Sequence, residues 1–181
     1  MRNIGAFLST LALIVLMGAS CSAGSMTATD SKLPLATYEN KQNYFQIEYP
    51  KDWEKQEGVY GTVAAFISPQ SIDDEFPENV TIVVKATDAT VTDFVASAVN
   101  NAPQSYKDFT LIDDKPTTLD GAEAEMITYT FTQDELKIYT REVFAVKNGR
   151  LYDITFTASQ SEPEANWDIA QKMIASFKII E

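Results

Sequence analysis

Two dipeptides constrain this chain more than any other feature: Asp120-Gly121 and Asn148-Gly149. Both suit the left-handed backbone of a two-residue hairpin turn, and long alternating segments flank each of them. In Ala122–Thr132, Ile127, Tyr129 and Phe131 point one way and Thr128, Thr130 and Thr132 the other. Leu136–Val146 leads across Asn148-Gly149 into Leu151–Ala158, where Tyr152, Ile154, Phe156 and Ala158 make an inner face. A period of two over such lengths is the mark of half-buried antiparallel strands. Phe109–Asp113 precedes the first turn as a further strand.

Earlier segments add to the sheet. Tyr44–Tyr49 alternates Phe45, Ile47 and Tyr49 with Gln46 and Glu48, and Pro50 to Trp53 turns the chain. Thr62–Ile67 and Asn79–Lys85 read as strands, separated by a polar, proline-rich loop from Ser68 to Pro77. Two helices are expected. Thr90–Ala102 starts on a Thr90/Asp93 cap, carries Phe94, Val95, Ala98, Val99 and Ala102 at helical spacing, and stops at Pro103. Pro163 to about Ser176 starts on a Ser161/Glu164 capping box and carries Trp167, Ala170, Met173, Ile174 and Phe177 as its apolar stripe. The class is α+β: a central antiparallel sheet flanked by helices.

The first residues are of another kind. After Arg2 the chain is uncharged until Asp30, and Ile4–Met17 is nearly all apolar. That run suits a secretory leader and is too short for the roughly 20 residues of a membrane-spanning helix. It ends in Leu16-Met17-Gly18-Ala19-Ser20-Cys21, which resembles the lipobox of bacterial lipoproteins, although Gly18 stands where leucine is usual. The expected organisation is a lipoprotein signal peptide over residues 1–20, a lipidated Cys21 with a flexible polar tether through residue 37, and a folded domain over 38–181. Two fatty acyl chains of the palmitate type on Cys21 give stable membrane anchoring, where one is marginal. The alternative is an ordinary signal peptide cut near Ala23, with Cys21 discarded.

Composition removes whole function classes. There is no histidine, and Cys21 is the only cysteine. Ser-His-Asp and Cys-His nucleophiles, His-rich metal sites, thiolate cages and internal disulfides are therefore excluded. No Ser-x-x-Lys occurs, which removes the best histidine-free serine dyad. With 14 Lys and Arg against 26 Asp and Glu, the net charge of −12 repels phosphate backbones and argues against nucleic-acid binding.

The remaining candidates are carboxylates and aromatics. Asp73, Asp74, Glu75 and Glu78 crowd one loop and supply oxygen ligands for a cation such as Ca²⁺, with a solvated charged surface as the plainer reading. Asp113-Asp114 sits at a strand end. Glu123 and Glu125 share one strand face as paired acids or as ordinary exposed carboxylates. Asn79-Val80-Thr81 matches a glycosylation acceptor but opens a strand. Trp53 and Trp167 read as core anchors, Tyr60 and Tyr106 as exposed loop aromatics of the partner-contact kind.

Taken together, Phe45-x-Ile47-x-Tyr49-Pro50, Trp53, Gly149-x-x-Tyr152, Trp167 and Ser176-Phe177 resemble the PsbP-like family, of the Mog/PsbP fold, over Tyr38 to Ile179. The resemblance implies a six- or seven-stranded antiparallel sheet with helices and no established catalytic centre. It also implies relatives of two sorts: extrinsic, lumen-side photosystem II subunits, and bacterial lipoproteins without a photosynthetic role. Thr62–Ser68 departs from the photosystem members, which usually carry a charged aromatic stretch there.

Three readings follow. The first is a non-catalytic, membrane-anchored extracytoplasmic lipoprotein that binds, or assists assembly of, a membrane protein complex (a photosystem II subunit, if the organism is photosynthetic). The second is a small-ligand or calcium-binding lipoprotein. The third is a carboxylate hydrolase. The first is favoured, with no cofactor beyond the Ca²⁺ of the second reading.

Overall fold

A computed structural model describes residues 33–70 and 76–180. The described elements are, in chain order, β1 (Leu35–Asn40), β2 (Phe45–Pro50), β3 (Glu54–Glu57), β4 (Ala64–Ile67), β5 (Asn79–Ala86), α1 (Val91–Ser105), β6 (Lys107–Leu119), β7 (Ala122–Gln133), β8 (Leu136–Lys147), β9 (Arg150–Ser159), α2 (Trp167–Ser176) and β10 (Lys178–Ile179). They form a seven-stranded antiparallel sheet in the order β3-β4-β5-β9-β8-β7-β6 and a three-stranded sheet in the order β1-β2-β10. The α+β expectation holds, and both tight turns fall where the dipeptides put them. Asp120, Gly121, Asn148 and Gly149 all have positive φ, from +48° to +72°.

Register decides which side chains share a face. On one face of the large sheet, Val80, Ile82, Val143, Ala145, Tyr152, Ile154, Phe156 and Ala158 pack with Phe45, Ile47, Phe177 and Met173, so β2 and α2 cover that side. Phe177 lies at the centre of this layer, stacked on Phe45 with ring centroids 5.2 Å apart and edge-on to Tyr152 at 5.8 Å. On the other face Ile127, Tyr129, Phe131, Ile138, Phe144 and Leu151 pack against Val91, Val95, Ala98 and Ala102 of α1. The sheet is buried on both sides, where alternation alone suggests one wet face.

Several boundaries differ from expectation, each for a physical reason. β1 begins at Leu35, so the end of the expected tether is paired strand: Leu35 opposes Pro50 and Thr37 opposes Glu48. α1 runs through Pro103 to Ser105, because a proline in the last turn forfeits only one hydrogen bond; Tyr106 N–H closes the helix onto Ala102 O at 2.9 Å. α2 starts at Trp167, four residues after Pro163. The Ser161/Glu164 box does not form: Ser161 Oγ pairs with Ser159 Oγ at 2.8 Å, and Glu164 takes both Arg141 nitrogens at 2.6 and 3.1 Å. Asn166, at φ 57°, sets the helix entry instead. β6 is far longer than Phe109–Asp113, which places Asp113-Asp114 in mid-strand. β3 and β10 carry no apolar alternation to betray them.

Candidate functional site

The sequence-derived acidic set is only partly visible. Asp73, Asp74 and Glu75 lie outside the described residues, as does Cys21. Glu78 is buried at 4% exposure, and its Oε2 accepts from Ser68 Oγ at 3.0 Å and Asn166 Nδ2 at 2.8 Å. It ties the start of β5 to the entry of α2. Among the described residues no group of three or more acidic, histidine or cysteine side chains could hold a metal ion.

Glu123 and Glu125 do share a face, and β6 brings Asp114 beside them. Burial, followed by the charges of Asp114 and Glu123, raises the Glu125 carboxyl above its ordinary value. Its Oε2 is buried without a hydrogen-bond partner. Tyr60 is exposed as expected, at 59%. Tyr106 is not: it packs among Phe131, Tyr129 and Phe109, because the end of α1 folds it under the sheet rather than into a loop. Trp53 is buried. Trp167 is part-buried at the rim of the core, with Phe156 at 5.3 Å on one side and the Arg141 guanidinium at 4.1 Å on the other.

The most unusual chemistry lies on the α1 face, across β5, β9 and β8. Three cross-strand rows stack there. Asn79, Thr157 and Thr140 form the first, Thr81, Thr155 and Glu142 the second, and Val83, Asp153 and Phe144 the third. Glu142 is 0% exposed and Asp153 1%. Thr155 Oγ1 stands between them, 3.3 Å from Glu142 Oε1 and 3.1 Å from Asp153 Oδ1. A hydroxyl carries one proton, so Thr155 donates to only one of the two at a time. Tyr129 Oη donates to Glu142 Oε2 at 2.9 Å. Burial first, and then the neighbouring Glu142 charge, pushes the Tyr129 phenol well above its ordinary value, and Tyr106 follows the same pattern with Asp153 contributing. Around this group, Oγ1 of Thr81, Thr140 and Thr157 and Oδ1 of Asn79 are buried with no hydrogen-bond partner. Native interiors leave few such atoms, since each costs about 1–3 kcal/mol.

Sequence reading passes over this group because Thr140, Glu142, Asp153, Thr155 and Thr157 alternate with apolar residues and look like a wet face. The amphipathic stripe of α1 is the signal that could have found it, since that helix needs a sheet face to lie on.

A family model for PsbP-like protein matches residues 19–179. Among solved structures, that of cyanobacterial PsbP (CyanoP) from Synechocystis is similar over 86% of this chain and 98% of its own, at 16% identity and a TM-score of 0.61. LpqN of Mycobacterium tuberculosis, described as involved in cell envelope biogenesis, is similar over 82% of this chain and 86% of its own, at 15% identity and a TM-score of 0.59. A Pseudomonas aeruginosa protein of unknown function, called a putative regulator, is similar over 76% and 94%, at 19% identity and a TM-score of 0.55. Identities this low carry the fold alone. Among curated proteins none matches the sequence. The two-sheet antiparallel architecture, the order of aromatic anchors from Phe45 to Phe177 and a family match spanning nearly the whole chain agree: the chain belongs to the PsbP-like protein family.

Proposed function

We propose that this chain is a lipid-anchored extracytoplasmic lipoprotein whose PsbP-like domain is non-catalytic and binds, or assists assembly of, a membrane protein complex. The observation that carries the reading is the single cysteine, Cys21, standing at the end of an apolar leader and inside the family match, which begins at residue 19. Strand β1 begins at Leu35, so a short tether joins an acylated Cys21 to the domain. Among the described residues no helix is long and apolar enough to cross a membrane. The absence of histidine and of any Ser-x-x-Lys supports a binding role over a hydrolytic one. LpqN, described as acting in cell envelope biogenesis, supports an extracytoplasmic place by analogy.

A docking surface is available on the edge strand β6. Leu111 and Ile112 sit side by side at a register shift, 38% and 55% exposed, with Asp113 and Asp114 following. Adjacent strand residues face opposite ways, and β6 is exposed on both faces along most of its length, so both apolar side chains are accessible. The experiment is Cys21→Ser followed by detergent-phase partitioning and intact mass. The variant should move to the aqueous phase with an unchanged melting temperature. Mature wild-type protein that starts after Cys21 sinks the anchoring. Unchanged co-purification of a Leu111→Lys, Ile112→Lys variant with its membrane partner removes β6 as the docking edge.

A further inference from the structure

We propose that the Asn148-Gly149 end of the domain carries a binding site for a dianionic phosphate group, with Arg150, Lys147 and Lys178 as its cations and the Tyr44 ring as the platform that holds Arg150. The site stands apart from the β6 edge and does not depend on acylation of Cys21.

Charge is the first observation. Lys147 lies directly opposite Arg150 in the β8-β9 ladder, on the face that β2 covers, and like charges opposed across paired strands destabilise a sheet. Lys178 of β10 donates to Asp120 Oδ1 at 3.0 Å. The Asp120 carboxyl is held below its ordinary value by the Ile179 N–H first, then by Lys178 and by the charge of Lys147, so both lysines act on one carboxylate. Among the described residues neither Lys147 nor Arg150 forms an ion pair. Lys41, in the turn that leads to Tyr44, is paired with Glu39 at 3.7 Å and adds no net charge. On this side three cations and one carboxylate therefore leave two positive charges, in a chain whose net charge is −12. A phosphate carrying about two negative charges matches them, whereas a carboxylate leaves one over. The Debye length in physiological salt is about 8 Å, so an anion seated here responds to these cations more than to the distant acids.

Geometry is the second. The Arg150 guanidinium lies over the Tyr44 ring, 4.3 Å from its centroid. Stacking fixes the plane of the fork and leaves its N–H edge free for bidentate contact with two oxygens. Tyr44 itself is held at φ +60°, a left-handed backbone unfavourable for a bulky aromatic. Its carbonyl accepts the Ile180 N–H at 3.0 Å, a bond that glycine or asparagine would make there with less strain. The ring is 38% exposed, so burial alone is a weak reason for an aromatic at this place. What the tyrosine side chain adds is the stack on Arg150. Strained backbone of this kind clusters at binding and active sites.

The test is a titration of the purified full-length protein with inorganic phosphate, glycerol phosphate and acetate at constant ionic strength, followed by NMR shifts of the amides of Lys147, Asn148, Gly149 and Arg150. Phosphate should give saturable shifts there, and acetate should bind about tenfold more weakly. Glycerol phosphate separates the sources: binding at least as tight as that of the free ion points to a phosphate ester, and weaker binding to the ion itself. Arg150→Lys keeps the charge but loses the fork, and should lose about tenfold in phosphate affinity at an unchanged melting temperature. Asp120→Asn removes the competing carboxylate and should tighten phosphate about threefold. Tyr44→Asn suits the left-handed turn, and should weaken phosphate without lowering the melting temperature. A Tyr44 with only a packing role would do the reverse, and that result overturns the platform. The site itself is overturned if no saturable shift develops up to about 10 mM phosphate, well above a millimolar dissociation constant. It is equally overturned if acetate binds as well as phosphate, or if Arg150→Lys binds as wild type does.

Discussion

Truncating Phe177 to alanine should unlatch the chain terminus from both sheets at once. The ring is 1% exposed, stacked on Phe45 and edge-on to Tyr152, so it joins β2 of the small sheet to β9 of the large one. Removing a buried phenyl costs about 3–5 kcal/mol in lost transfer energy and residual cavity. Of that, each ring pair accounts for about 0.5–1.5 kcal/mol. For a domain of this size the loss corresponds to a melting temperature lower by roughly 10 °C. A local effect should accompany the global one. Lys178 and Ile179 pair with Gln46 and Phe45, Ile180 N–H donates to Tyr44 O at 3.0 Å, and Ile179 N–H donates to Asp120 Oδ2 at 2.9 Å. These amides should lose hydrogen-exchange protection well before those of β8 and β9. The assays are chemical denaturation of the single variants and of Phe45→Ala with Phe177→Ala, plus amide exchange of the terminal residues. A loss below about 1 kcal/mol, or strict additivity in the double variant, refutes the stacked-latch reasoning.

Glu125→Gln should raise the melting temperature near neutral pH. Its folded carboxyl is held above the ordinary value by burial and by Asp114 and Glu123, so the native state binds the proton more tightly and ionisation destabilises it; the gain should vanish below about pH 4, where the unfolded-state carboxyl is also protonated. Asp120 is the opposite case: the Ile179 N–H first, then Lys178, holds its carboxyl below the ordinary value. Its stabilisation is present above about pH 4 and is lost as pH falls through the lower folded value, and Asp120→Asn should flatten that acid limb in a pH series of melting curves. Trp167→Ala should cost about 2–4 kcal/mol in denaturant titration, less than a fully enclosed ring, because one face rests on Arg141 rather than on core; a loss under about 1 kcal/mol would contradict the packing on Phe156.

Local chemistry was enough to read much of this molecule. Asp120-Gly121 and Asn148-Gly149 need positive φ at both turn residues, a requirement met within the dipeptide itself, so the hairpins are legible without tertiary context. The Thr90/Asp93 cap is likewise local, closed by Asp93 N–H onto Thr90 Oγ1 at 3.1 Å. Tertiary contact decided the rest. Glu164 caps nothing because Arg141, far away in sequence, offers it a bidentate partner, and the helix it was to open begins at Trp167 instead. β3 and β10 exist only because neighbouring strands offer ladder hydrogen bonds.

The candidate site divides in the same way. Sequence alone put Cys21 at the end of a leader and showed that histidine and a second cysteine are missing, since these are matters of covalent order and count. It could not tell that Glu142 and Asp153 are buried. Alternation records that a strand has two faces, but what covers each face depends on where α1 lands, and α1 lands on the face that carries them. Antiparallel register then sets Glu142 opposite Thr155 and Thr81 opposite the same residue. Only the packed sheet brings those oxygens together, because side chains from three separated strands become neighbours through ladder pairing rather than through sequence spacing.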